Sequence, residues 1–403
     1  MWSIGWGESF VQRTTVGGRT SAEGMIVRGR RLTALAVGAV TLVTIGLSGH
    51  PSQAAAVGTS ERAAKTVALA ALPPVAQPGK KAGKPATKGV LSARFKPAKA
   101  GGSVSIERRK GSRWVKAGTT RQQRGGYVVA PVKPGTYRLV SGTTTTATAV
   151  MPKWRTQFQE TFSGRRLDPR KWRDQQIPYG LAGLRACSTP SPKVRKVQRG
   201  SLVMGVAYDK QMKRKCRYRV KSRTASTRHL LNTQVVTQDL YEFKYGHVAA
   251  RVKFSRSRGR HSGIWIAPSY TNRTPGALPT EIDIAEFFGD SPRKTDGIAS
   301  FIHEHQVDRT TKKFGKLFKN TGKLLPKGQN WWNSFHVVSV EWTPTDYIFR
   351  IDGKEYWRMK GKPLQSNGYL VLSALTSDYE IKFLTKKTIK ETTSVDWIRV
   401  WAL

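Results

Sequence analysis

Residues 280–288 read Thr280-Glu281-Ile282-Asp283-Ile284-Ala285-Glu286-Phe287-Phe288. Apolar residues interleave the acids, which is the pattern of a half-buried strand. An E-x-D-x-x-E string also occurs on helices, as a charged face or a metal site. Here Ile282, Ile284 and the Phe287-Phe288 pair disfavour a solvated helix. Acids are scarce: residues 151–403 hold 21 of them, and three fall within this one string. On a regular strand Glu281 and Asp283 share a face, and Glu286 points away. One extra residue near Ala285, a β-bulge, returns Glu286 to that face. The two glutamate backbones then stand ~13 Å apart at the rise of a strand. Side chains leaning together can bring their carboxyls to about 5–5.5 Å, the separation for a nucleophile and an acid/base on one sugar. Three crowded carboxylates cannot all ionise freely, so at least one pKa must rise. Glu281, Asp283 and Glu286 are therefore the candidate catalytic residues.

Outward from this string, residues 154–403 continue as short strand-type runs, among them Ser201–Ala207, His247–Phe254, Phe335–Trp342, Tyr369–Ala374 and Val395–Trp401. Helical periodicity is absent over any long stretch. Two packed antiparallel sheets fit this pattern.

The string resembles the signature of glycoside hydrolase family 16, which includes laminarinases, lichenases and agar- or carrageenan-cutting enzymes. The likeness runs on through Gly289 and Pro292. It extends to Phe162, Gly164, Asp168 and Trp172 of an opening strand, and to Tyr245-Gly246 through Arg251. Glu341-Trp342-Thr343-Pro344, Asp352-Gly353 and the closing Val395-Asp396-Trp397-Ile398-Arg399-Val400 belong to it as well. The resemblance implies an all-β, concanavalin A-like jelly-roll sandwich with a cleft across one sheet. It implies retaining hydrolysis of β-linked polysaccharide, with Glu281 as nucleophile, Asp283 as its helper and Glu286 as acid/base. Relatives carry a structural calcium, for which no ligand set is legible here; no other cofactor is expected. Where the family has a W-P-A-x-W pattern, this chain reads His261-Ser262-Gly263-Ile264-Trp265, so His261 replaces the first tryptophan. Ser373 replaces a frequent asparagine. Trp265 is the candidate for stacking on sugar, against ordinary core packing, and His261 is a further substrate-binding candidate. His303 resembles a cleft histidine that can bind sugar or Asp283. His303 and His305 share a strand face, but no third metal ligand accompanies them, and no metal is assigned. Trp331-Trp332 can line the cleft rim or cap the core. A β-1,3- or β-1,3/1,4-glucan is the first expected substrate. A galactan or anionic-glycan hydrolase, a transglycosylase and a non-catalytic wall-binding lectin are the alternatives.

The N-terminal part has a different organisation. Residues 25–56 read as an export signal: Arg28, Arg30 and Arg31, then the uncharged run Leu32–Leu47, then Ala54-Ala55-Ala56. Met25 is then the true start. The run is too short for a stable membrane span, which takes about 20 residues. Residues 57–88 read as a disordered linker rich in Ala, Pro, Gly and Lys. Residues 89–150 read as a small β-sandwich, a spacer by default. Both parts of the chain are basic: residues 1–150 hold 23 Lys and Arg against 4 acids, and residues 151–403 hold 47 against 21, for a net charge of +45. Such a field attracts polyanions, including anionic cell-wall polymers. No nucleic-acid module is visible. The expectation is a secreted monomer that the basic surface can hold at the cell wall. Export would make a Cys187–Cys216 disulfide the natural pairing; two free thiols or half a metal site are the alternatives, and no C-x-x-C pair supports the metal.

Overall fold

The computed structural model describes residues 66–181, 183–271, 275–290, 297–361 and 366–403. The expected export segment and Pro292 lie outside them. The described residues form strands joined by loops, with only 3-10 turns of three or four residues between.

Two large sheets, antiparallel except where the short strand Ser188–Pro190 pairs with Leu230–Val236, are built from residues 156–401. The ten-stranded sheet carries, in order, Arg173–Asp174, Leu230–Val236, Gly368–Leu375, His261–Pro268, Thr280–Phe287, Ile298–His305 and Thr311–Phe318. The eight-stranded sheet carries Arg195–Gln198, Ser201–Met204, Thr393–Trp401, Gly246–Lys253, His336–Trp342, Asp346–Ile351 and Lys354–Lys360. Alternation along each strand supplies one apolar face, and the two faces pack on each other. Ile264, Ile282 and Leu372 from the first sheet meet Val248, Val340 and Ile398 from the second in one core. This is the all-β jelly-roll sandwich expected from the sequence. Trp331 is fully buried in that core and Trp332 packs against it, so this pair caps the core.

Residues 66–151 also form strands. A three-stranded sheet holds Leu69–Leu72, Gly89–Arg94 and Tyr127–Val132, and a five-stranded sheet is built around Ser103–Lys110, Arg113–Arg121 and Gly135–Ser141. Residues 66–88 depart from the expected linker. Leu69–Leu72 pairs with Gly89–Arg94, and Leu72 and Val75 are buried against Ala249, Trp397 and Trp401 of the eight-stranded sheet. The stretch beyond is strapped down by hydrogen bonds. Buried Arg251 donates from Nε to the Gln77 carbonyl at 2.6 Å and from Nη1 to the Lys81 carbonyl at 3.0 Å, and it pairs with Asp396. Arg399 donates to the Ala86 carbonyl at 2.9 Å. Composition marked this segment as polar and flexible. Backbone groups given fixed partners by another part of the chain are ordered all the same.

Candidate active site

The strand Thr280–Phe287 runs through the middle of the ten-stranded sheet, with His261–Pro268 on one side and Ile298–His305 on the other. Its pairing contains the expected bulge. Trp265 faces Asp283 and Ile264 faces Ala285, so Ile284 is the extra residue against that neighbour. Ile284 and Ala285, adjacent in sequence, both enter the core. The alternation therefore restarts out of phase, and Glu281, Asp283 and Glu286 all line the same cleft. That cleft encloses about 580 Å³. Gly263, opposite Glu286 in the register, keeps its floor open: a Cβ there would lie 3.0 Å from the Ser373 hydroxyl and 3.1 Å from the Trp265 ring.

Each carboxylate has a distinct partner. Asp283 hydrogen-bonds with Glu281 and stands 3.2 Å from Nε2 of His303. His303 lies directly across from Glu281 in the strand register. Glu286 hydrogen-bonds to Nε2 of His261. Nδ1 of His261 lies 3.4 Å from an Arg185 guanidinium nitrogen and 3.4 Å from the Ser377 hydroxyl. Arginine can only donate, so Nδ1 accepts, and the proton of a neutral ring sits on Nε2, facing Glu286. The ring also stacks on Phe288 at 4.3 Å. His261 is thus enclosed, 5% exposed, and its hydrogen-bonding edge is committed to Glu286.

The charges follow from this arrangement. Burial, then repulsion from Asp283, pushes Glu281 up to about 8. Burial and the charge of Glu286 hold Asp283 well above the usual carboxylate range. Burial would also raise Glu286, but the attraction and hydrogen bond of His261, with Lys313 and His303 behind them, hold it below its ordinary value. The resting cleft therefore keeps Glu286 ionised and holds its proton on the Glu281–Asp283 pair.

Trp265 lines the cleft and donates from Nε1 to Ser373 at 3.1 Å, while part of its ring packs on Val236 and Val371. His305 is bonded to Thr311 at 3.1 Å and does not join the carboxylates. Cys187 and Cys216 form a disulfide. Sequence reasoning missed Arg185, Lys313, Asp378 and Tyr379, which also line the cleft. Arg185, Asp378 and Tyr379 come from irregular segments without periodicity, and Lys313 from a cationic edge strand. The one signal for Arg185 is its place two residues before the disulfide cysteine.

A two-sheet β-sandwich with a bulged central strand presenting three carboxylates to a cleft is the build of the jelly-roll glycosidases. Residues 206–397, the stretch that holds the bulged strand and all three carboxylates, match the family model of glycosyl hydrolases family 16. Among curated proteins it is similar to glucan endo-1,3-beta-glucosidase A1 of Niallia circulans, 24% identical over 183 residues, covering 42% of this chain and 26% of that protein. It is also similar to a beta-glucanase of Rhodothermus marinus, 25% identical over 140 residues, covering 34% and 45%. The chain thus spans less than half the length of either relative. Among solved structures it is similar to the laminarinase catalytic domain of Thermotoga petrophila, with TM-score 0.47 and 19% identity over 62% of this chain and 97% of that one. The endo-beta-1,3-glucanase of Pyrococcus furiosus has the same TM-score and identity, over 62% and 94%.

Proposed function

We propose that residues 156–401 form a secreted, retaining endo-glycoside hydrolase domain acting on β-linked polysaccharide with a β-1,3- or β-1,3/1,4-glucan backbone. The observation that carries this reading is the bulge: it puts Glu281, Asp283 and Glu286 on one face of one strand, inside a cleft large enough for sugar. The names of the two curated relatives support a glucan backbone. The disulfide supports an oxidising compartment.

In this mechanism the Glu281 carboxylate attacks the anomeric carbon. The bond to the leaving oxygen breaks as Glu286 delivers its proton to that oxygen. Glu286 then takes a proton from water, the water oxygen attacks the same carbon, and Glu281 is released. Two inversions retain the anomeric configuration. The proton that Glu281 loses before attack is the one Glu286 must carry, so the productive form moves the single proton of the Glu281–Asp283 pair to Glu286. It is the minor member of one singly protonated set, with Asp283 holding Glu281 in place. Such a set gives a bell-shaped kcat/KM profile whose alkaline limb lies near 8, where Glu281 titrates.

His261 sets the acidic limb. Replacing it with asparagine removes the contact that holds Glu286 down, so the Glu286 pKa rises and the acidic limb moves to higher pH. The alkaline limb stays near 8. A pH profile of H261N against the parent checks this; lower activity with both limbs unmoved would mean that His261 only packs.

The reading as a whole is tested by reducing-end release on a panel of β-1,3-, mixed-linkage and β-1,4-glucans and galactans. Oligosaccharide products of mixed length are expected from the β-1,3-linked members. Binding without any release would indicate a wall-binding lectin, and products longer than the substrate a transglycosylase.

A further inference from the structure

The cleft has one wall that the hydrolytic mechanism does not use. Strands Lys215–Val220 and Arg223–Arg228 form a separate two-stranded hairpin. Residues 210–228 hold nine Lys and Arg, and no acid occurs from residue 210 to residue 238. The hairpin has two faces. Cys216, Tyr218 and Val220 pack on Cys187, Leu230 and Ile381, and the disulfide fixes this face to the domain. On the other face Arg217 and Arg219 stand exposed, opposite Ser226 and Thr224. Among the described residues, none of the hairpin's cations has an ion-pair partner. Lys215 and Arg228 even sit directly across from each other, a like-charge pairing that destabilises a sheet. A lone two-stranded ribbon is marginal to begin with.

Cations on edge strands do deter unwanted strand pairing. That role is served anywhere along the ribbon and does not explain why its tip reaches the cleft. Arg219 and Lys221 line the same cavity as the three carboxylates, together with Arg185 and Lys313. Sharing one proton, Glu281 and Asp283 keep one negative charge between them, and the four cations still outweigh that charge together with Glu286 and Asp378. Asp378 is itself pushed up to about 6 by burial.

We propose that the substrate is an anionic β-glycan, whose carboxylate or sulfate groups, on sugars flanking the scissile bond, are bound by Arg219 and Lys221 at the tip of this hairpin. The proposal rests on the hydrolase reading above and adds the substrate class. Arginine pairs its guanidinium fork with the planar or tetrahedral oxyanion, and the lysine adds a point charge. The attraction is exposed and so is screened by salt.

The test uses the full chain and three ligands: a soluble β-1,3-glucan, its C6-carboxylated derivative and its sulfated derivative. Affinity and reducing-end release are both measured at about 50 and about 300 mM NaCl, which shortens the screening length to several ångströms. The parent protein should bind an acidic derivative about tenfold more tightly than the neutral glucan at low salt, and the margin should collapse at high salt. The derivative with the larger margin identifies carboxylate or sulfate as the group. R219E/K221E should abolish the margin. K110E/K116E, which makes the same charge change on the exposed five-stranded sheet, should keep it. Equal affinity of the parent protein for all three glycans would overturn the proposal, as would loss of the margin in both double variants alike. Absence of release from every ligand, with the margin in binding intact, would sink the hydrolase reading and leave the anionic site standing.

Discussion

Glu281→Ala is expected to lower kcat on the best glucan substrate by ~10⁴-fold or more, while affinity for the same glucan changes by less than about threefold. Glu281 is the one group placed to form a covalent bond to sugar, and alanine has no electron pair to offer. The remaining cleft, with Trp265, His303 and the other wall residues, still holds the chain. Steady-state rates and affinity electrophoresis on the same preparation separate the two effects. A variant retaining a tenth of the activity would remove Glu281 from the mechanism. Losing the hydrogen bond with Glu281, which pulls its pKa down, Asp283 should titrate still further above an ordinary carboxylate in the variant.

Arg251→Ala is expected to be the most damaging change to stability, at about 3–5 kcal/mol. The guanidinium and its partner Asp396 are both almost fully enclosed, at 3% and 2% side-chain exposure. Removing the cation strands a buried carboxylate and also leaves the carbonyls of Gln77 and Lys81 without donors. Melting by calorimetry should fall by roughly 5–10 °C, and residues 77–86 should become open to proteolysis before the two large sheets unfold. Replacing Arg251 and Asp396 together with apolar residues should cost less than the single change, since no charge is then left uncompensated. A single variant melting within a degree of the parent would show that the strap contributes nothing.

The central strands were legible because their faces are unequal. Ile282 and Ile284 against Glu281 and Asp283 identify both the strand and its buried side, and the odd spacing to Glu286 marks the bulge. The cationic strands were not. Thr311–Phe318, Lys354–Lys360 and the hairpin from Lys215 to Arg228 carry lysines and arginines where a core strand has apolar residues. The first two lie at the edges of their sheets, and the hairpin belongs to neither, so little of their surface must be apolar. Residues 66–88 were misread for a related reason: their order comes from Arg251, Arg399 and Asp396, more than 160 positions away, and no local pattern records it. The substitution at His261 was visible, yet its consequence was not. Only the register, which sets Gly263 against Glu286, brings this imidazole onto the acid.

The catalytic assignment predicts which glutamate becomes covalently attached to sugar. A 2-deoxy-2-fluoro β-glucoside with a good leaving group, elongated by one β-1,3-linked unit, slows breakdown of the intermediate, and peptide mapping by mass spectrometry locates the adduct. The sugar mass is expected on the peptide containing Glu281, with fragmentation placing it on that residue. An adduct on Glu286 would reverse the two roles, in line with the resting charge of the cleft, and release of the inverted anomer with no adduct would contradict the covalent mechanism altogether.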